Sequence, residues 1–200
     1  MMRRRGLMLG LAMLPATAFA APSALNFRVV RSGSAVGTHT VRFRDDGNAL
    51  VAETEVRIIV RLAGFVVYRY AHDTTERWQG ERLMSLSARL DRNGTPGFCE
   101  ARAEGSALLL RGTAGEARLP AEAAPLTWWR MATLRPGVPL FDPRRGEPVV
   151  PEFQRSVVAG GTLIRMIGGE GAEILYDSAG LWTGFATTGE DGSTVRYERA

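Results

Sequence analysis

The sequence predicts an all-β fold with one short helix. Three observations carry it: apolar and polar residues alternate at period two from Leu25 to Asp91, Gly/Asn/Asp/Ser clusters punctuate that alternation at short intervals, and a helical pattern occurs only at Trp128–Leu134. Alternation of this kind belongs to strands that bury one face and wet the other. Closely spaced turn signals make each strand pair with its sequence neighbour.

Taken in order, the strands are expected at Leu25–Arg31, Val36–Arg44, Ala49–Val60, Phe65–Trp78, Arg82–Asp91, Gly97–Ala103, Ala107–Arg111 and Glu116–Leu119. The turns between them carry Ser32-Gly33-Ser34, Asp45-Asp46-Gly47-Asn48, Gln79-Gly80-Glu81, Arg92-Asn93-Gly94 and Glu104-Gly105-Ser106. A break runs from Pro120 to Pro136, where Thr127 is placed to N-cap a helix over Trp128–Leu134 that Arg135-Pro136-Gly137 ends. Strand pattern then resumes at Val138–Asp142, Val149–Val158, Thr162–Ile167, Ala172–Tyr176, Leu181–Thr188 and Thr194–Glu198. Pro148 and Pro151 put the second of these at a sheet edge or a bulge, since proline donates no ladder hydrogen bond. Two antiparallel runs thus flank one helical crossover, with Trp128-Trp129 expected as a plug over the sheet.

Residues 1–20 stand outside this pattern. Arg3-Arg4-Arg5 precede an apolar run, Leu7–Leu14, and the small-residue site Ala18-Phe19-Ala20, which together read as an export signal cleaved before Ala21. The remaining residues 21–200 suit one β-rich domain, exported to the periplasm. No stretch reaches the roughly 18 to 20 uninterrupted apolar residues of a spanning helix. Removing three arginines leaves 22 basic against 21 acidic residues, so the net charge falls from +4 to +1 and the basic signature disappears. Every basic residue is arginine, and none clusters into a stripe, so a nucleic-acid partner is not expected. Cys99 is the sole cysteine and is expected as a buried small hydrophobe.

A register can be written for the first strands. A tight turn at Asp45–Asn48 places Phe43 opposite Leu50, Val41 opposite Ala52, His39 opposite Thr54 and Gly37 opposite Val56. A loop at Arg61–Phe65 then places Ile58 against Tyr68, Val56 against Tyr70 and Thr54 against His72, and the Gln79–Glu81 turn brings Met84, Leu86, Ala88 and Leu90 to the same face. Both histidines fall in one row, on either side of Thr54. Two strand spacings separate them by roughly 10 Å, too far for one zinc ion with ligands at about 2 Å, and no third His or second Cys completes a set. Glu76 lies about 13 Å along its strand from His72 and is expected at the rim, in water. No G-x-S-x-G elbow, phosphate loop, H-E-x-x-H or calcium loop is present. No catalytic residue, metal or cofactor is assigned.

Gly37-Thr38-His39 with Val41 and Phe43, then Tyr68-Arg69-Tyr70 with His72, Glu76, Trp78 and Gly80, followed by the Trp-containing segment and the C-terminal hairpin, resemble an uncharacterised family of exported bacterial β-rich domains. That family commonly carries asparagine after the tryptophan of the helix, where Trp129 or Arg130 stands here. The pattern is similar, more distantly, to the half-barrel proteins that carry or receive outer-membrane lipoproteins. This resemblance implies a curved antiparallel sheet wrapped around a helical plug and enclosing an apolar cavity. A binding role for an acyl chain or other hydrophobic ligand is then expected, with Val41, Phe43, Leu50, Val56, Ile58, Tyr68, Tyr70 and Leu86 lining the groove and His39, Thr54 and His72 forming a polar seam. The rival expectation is a non-enzymatic interaction module with a closed interior and an exposed patch at Trp128-Trp129.

Overall fold

A computed structural model of the protein describes residues 22–168, 171–189 and 191–200. The expected export signal lies outside the described residues. Before the break come β1 (Ala24–Arg31), β2 (Ser34–Asp45), β3 (Leu50–Leu62), β4 (Phe65–Gln79), β5 (Arg82–Arg92), β6 (Thr95–Glu104), β7 (Ala107–Gly112) and β8 (Gly115–Pro120). Next come β9 (Ala124–Pro125), β10 (Leu140–Asp142) and β11 (Glu147–Val149). The chain finishes with β12 (Glu152–Val158), β13 (Gly161–Ile167), β14 (Ala172–Asp177), β15 (Trp182–Thr188) and β16 (Thr194–Arg199).

Thirteen of these form one antiparallel sheet in the order β12-β13-β14-β15-β16-β1-β2-β3-β4-β5-β6-β7-β8. Pairing of β1 with β16, Val29 opposite Tyr197, fuses the two expected runs into a single meander. The sheet curves but does not close into a barrel. Strands β11-β10-β9 make a separate small sheet. Its turn crosses β6 and β7 so closely that a Cβ at Gly97 would stand 2.8 Å from the Arg144 carbonyl oxygen and one at Gly112 2.2 Å from that of Arg145. Only glycine allows that approach.

Three expectations need correction here. The helix over Trp128–Leu134 is absent; a single 3-10 turn, Met131–Thr133, stands in an otherwise irregular strap. That turn has no side-chain N-cap, and the strap is held instead by tertiary hydrogen bonds, Trp129 donating to Glu76 and Tyr176 to the Trp128 carbonyl, which override a weak local preference. The expected strand Val149–Val158 is split at Val150-Pro151, with Pro148 on the outer strand of the small sheet and β12 at the edge of the large one. Likewise Val138–Asp142 contributes β10 to the small sheet, not to the main run.

The register is also shifted, always by two. Asp46 and Ala49 are joined by a 2.8 Å backbone hydrogen bond, and the loop holds four residues where a two-residue turn was expected. Phe43 therefore faces Ala52, Val41 faces Thr54, His39 faces Val56 and Gly37 faces Ile58. Between β3 and β4 a two-residue turn at Ala63-Gly64, both at positive φ, combines with a bulge at Val60/Arg61 to set Ile58 against Tyr70 and Val56 against His72. A shift of two preserves the face of every residue, because side chains alternate with period two. At β4–β5 a bulge beside Trp78 does change a face: Leu83 is fully buried opposite Trp78, and Met84 takes the extra position.

Two cores fill the concave side. One gathers Trp78, Leu83, Leu86, Cys99, Leu108 and Leu110 under Ala123, Ala124, Leu140 and Phe141. The other gathers Leu25, Phe27, Val41, Ile164, Ile174 and Trp182 around Leu134. Cys99 is fully buried, and burial pushes its thiol pKa up to about 12.

Candidate functional site

The strap between β8 and β12 lies inside the curved sheet and is clamped from both sides. Trp128 packs on Phe185 with ring centroids 5.2 Å apart, and its carbonyl accepts a 2.7 Å hydrogen bond from the Tyr176 hydroxyl. Trp129 meets Phe43 at 5.1 Å and Trp78 at 6.2 Å. Its indole N–H donates to Glu76 Oε1 at 3.1 Å, while that of Trp78 donates to Oε2 at 2.8 Å. The Arg130 guanidinium sits 4.3 Å from the Trp78 ring centroid. Glu76, expected in water at the rim, is instead 1% exposed. Burial pushes its carboxyl pKa up to about 7, against the lowering effect of Trp129, Trp78, Thr127 and Arg130.

Beyond the strap, toward the end of the sheet that carries the β1–β2, β3–β4 and β15–β16 turns, the interior is not filled. A cavity of about 480 Å³ opens there, between β2–β4 on one wall and β14–β16 on the other. Six of the expected groove residues meet on it: Val56, Ile58, Tyr68, Tyr70, His39 and His72. The other five lie elsewhere. Val41 and Leu86 are buried in the two cores, Phe43 and Leu50 pack against them, and Thr54 sits below with its hydroxyl buried and without a hydrogen-bond partner among the described residues. With the register shifted, Val56, not Thr54, stands between the histidines.

Neither histidine is charged at neutral pH. Burial lowers the His39 pKa to about 3, with His72 adding a smaller push, and its Nδ1 has no hydrogen-bond partner among the described residues. His39 is boxed by Trp182 at 5.0 Å and Tyr197 at 5.3 Å. Burial lowers the His72 pKa to about 4 against the raising influence of Asp142, and its Nε2 lies 3.3 Å from Thr74 Oγ1. Among the described residues no cluster of three or more His, Cys, Asp or Glu side chains could hold a metal ion.

Sequence reasoning missed the opposite wall and the small sheet. Tyr197, Phe185, Ala172 and Met166 face the cavity from the C-terminal strands, and Asp142, Pro143 and Arg144 from the β10–β11 turn. Arg144 Nε bonds both carboxylate oxygens of Asp142, at 3.0 and 2.9 Å, which neutralises the pair. Burial raises the pKa values of Tyr70 and Tyr197, so both remain neutral hydroxyls. The family described as "Domain of unknown function (DUF6134)" matches residues 27–200.

The chain belongs to the DUF6134 family. Its match spans β1 to β16 and therefore both walls of the cavity. No curated protein matches the chain. A solved structure, that of a duf1089 family protein from Pseudomonas aeruginosa, superposes with a TM-score of 0.42 and 16% identity, covering 86% of this chain and 94% of that one. For this DUF6134 protein, the missed wall left one sequence signal: Trp182, Phe185 and Tyr197 recur in the two C-terminal strands. What the sequence lacked was the β1–β16 pairing that turns those strands toward β2–β4.

Proposed function

We propose that this DUF6134 protein is an exported, non-enzymatic binding protein that takes an acyl chain or comparable hydrophobic ligand into the cavity. The observation that carries the reading is the cavity itself: about 480 Å³, within the roughly 300–1,000 Å³ of small-molecule sites, and walled mainly by apolar and aromatic side chains. Removing a chain from water there gains about 25 cal/mol per Å² of apolar surface. A few polar groups orient it: the neutral hydroxyls of Tyr70 and Tyr197. Because Arg144 is matched by Asp142, the lining favours a neutral hydroxyl or ester end over a free charge.

The rival reading, an interaction module with an exposed Trp128-Trp129 patch, is less well supported, since both indoles are half-buried inside the sheet. No helix among the described residues is long and apolar enough to cross a membrane. The residue 1–20 pattern supports a periplasmic site of action. Native mass spectrometry of the protein purified from its host envelope without detergent is expected to show a lipid-sized adduct. A bare mass, with no adduct regained on adding a long-chain monoacylglycerol, would sink the proposal.

A further inference from the structure

The β3–β4 hairpin outruns its neighbours. The last pair between β2 and β3 is Gly37 with Ile58, and the last between β4 and β5 is Tyr70 with Arg92. Residues beyond these pair only with each other, Ile59 with Arg69, Val60 with Tyr68, Arg61 with Val66 and Leu62 with Phe65. Asn93 braces the base, its side-chain oxygen accepting from the Arg69 N–H at 2.7 Å. A two-stranded ribbon thus projects roughly 13 Å past the sheet, at about 3.3 Å per residue.

Its tip is apolar on both faces. Leu62 is 69% exposed, Phe65 76% and Val67 53%, with Ile59 and Val66 also in solvent. Cross-strand partners share a face, so Leu62 and Phe65 lie on one side while Val66 with Arg61, and Ile59 with Arg69, lie on the other. Between Glu55 and Asp73 there is no acidic residue but three arginines, Arg57, Arg61 and Arg69. Arg57 is matched by Asp73; Arg61 and Arg69 have no acidic partner among the described residues. A flat protein partner covers one face of a ribbon and leaves the other wet. A lipid surface covers both, takes apolar tips about 5–10 Å deep, and attracts unpaired arginines to its anionic headgroups. The ribbon's base also borders the cavity, through Val60, Val67 and Tyr68.

We propose that the β3–β4 ribbon docks the protein on an anionic lipid surface, with Leu62, Phe65 and Val66 inserted and Arg61 and Arg69 at headgroup level. This goes beyond the reading of the cavity and stands whether or not the cavity takes a ligand. Flotation of the chain from Ala21 to Ala200, without the expected export signal, with phosphatidylethanolamine vesicles containing phosphatidylglycerol tests it, beside vesicles of phosphatidylcholine alone. The protein is expected to float with the anionic vesicles and far less with the neutral ones. Leu62→Asp/Phe65→Asp is expected to lower the bound fraction about tenfold or more, and Arg61→Glu/Arg69→Glu to lower it on anionic vesicles only. A Phe65→Trp chain is expected to shift its emission to the blue on meeting anionic vesicles. Neither Leu62 nor Phe65 lines the cavity, so uptake of a fluorescent monoacylglycerol analogue by the Asp variant reads the cavity separately. Failure of the unaltered chain to float, unaltered flotation of the folded Asp variant, or a dimer in light scattering that the Asp pair dissociates without vesicle binding would each overturn the proposal.

Discussion

The two ends of the sheet's concave side carry the same alternation of apolar residues, yet one is a core and the other a cavity. At the end of the β2–β3 and β4–β5 turns, Trp78, Leu83 and Trp182 are at most 1% exposed, and the strap lies across them. At the opposite end Ile58 in β3 and Tyr68 and Tyr70 in β4, the strand that also carries Trp78, face about 480 Å³ of open space. The difference does not reside in the strands. It resides in what the chain lays over them: the strap, locked by Glu76 and Tyr176, covers one end and stops short of the other.

Truncations at the two ends sharpen this contrast most. Leu108→Ala, at a fully buried site in the filled end, is expected to cost about 2–5 kcal/mol in urea unfolding. Ile58→Ala, at the open end, is expected to cost about 1 kcal/mol or less, because its side chain already faces the cavity. Equal losses at both sites would mean that the open end is packed like the other.

The clamp that fills one end should be visible in the pH dependence of stability. Glu76 has its pKa raised to about 7, so the folded state holds the extra proton; that contribution is present below about pH 4.5 and fades as pH rises through 7. His39 and His72 act oppositely. Their pKa values are lowered to about 3 and about 4, so their contribution is present above about pH 6.5 and is lost as pH falls. Stability is therefore expected to peak near pH 6.5 and to decline on both sides. Glu76→Gln is expected to remove the alkaline decline, which amounts to about 1 kcal/mol or less between about pH 6.5 and 7, and to steepen the acid limb, because the full Glu76 contribution, on the order of 3 kcal/mol, is lost between about pH 4.5 and 7. An unchanged alkaline limb in thermal scans would contradict the assignment to Glu76.

How much of this was legible in the sequence differs between the same two regions. The face of each residue in β2–β4 was readable, because alternation fixes it and the register errors were shifts of two that leave faces unchanged. The turn lengths that set the register were not, since a four-residue loop at Asp46–Ala49 and a bulge at Val60/Arg61 leave no distinct pattern. Glu76 falls in step with His72 and Trp78, yet it was expected at the rim in water and is instead buried. One of its donors, Trp129, comes from 53 residues away, and no local rule connects the two. The filled and open ends could not be told apart for the same reason. Val41, Phe43, Leu50 and Leu86 carry the same pattern as Val56, Ile58, Tyr68 and Tyr70, and only the path of the strap separates them.

A smaller effect is expected at the boundary. The Thr54 hydroxyl is buried without a hydrogen-bond partner among the described residues, just below the cavity. Thr54→Val keeps the shape and removes the unpaired group, so it is expected to leave stability unchanged or raise it by up to about 1 kcal/mol. A clear loss would show that the hydroxyl is satisfied in solution.

The most direct measurement is a titration of the purified, delipidated protein with a fluorescent monoacylglycerol analogue, alongside an Ile58→Trp variant whose indole is aimed into the open end. The unaltered protein is expected to bind with saturation, and Ile58→Trp to fold with unchanged thermal stability while losing most of the uptake. Saturable binding that Ile58→Trp leaves intact, or no binding by the unaltered protein, would contradict the cavity as a ligand site.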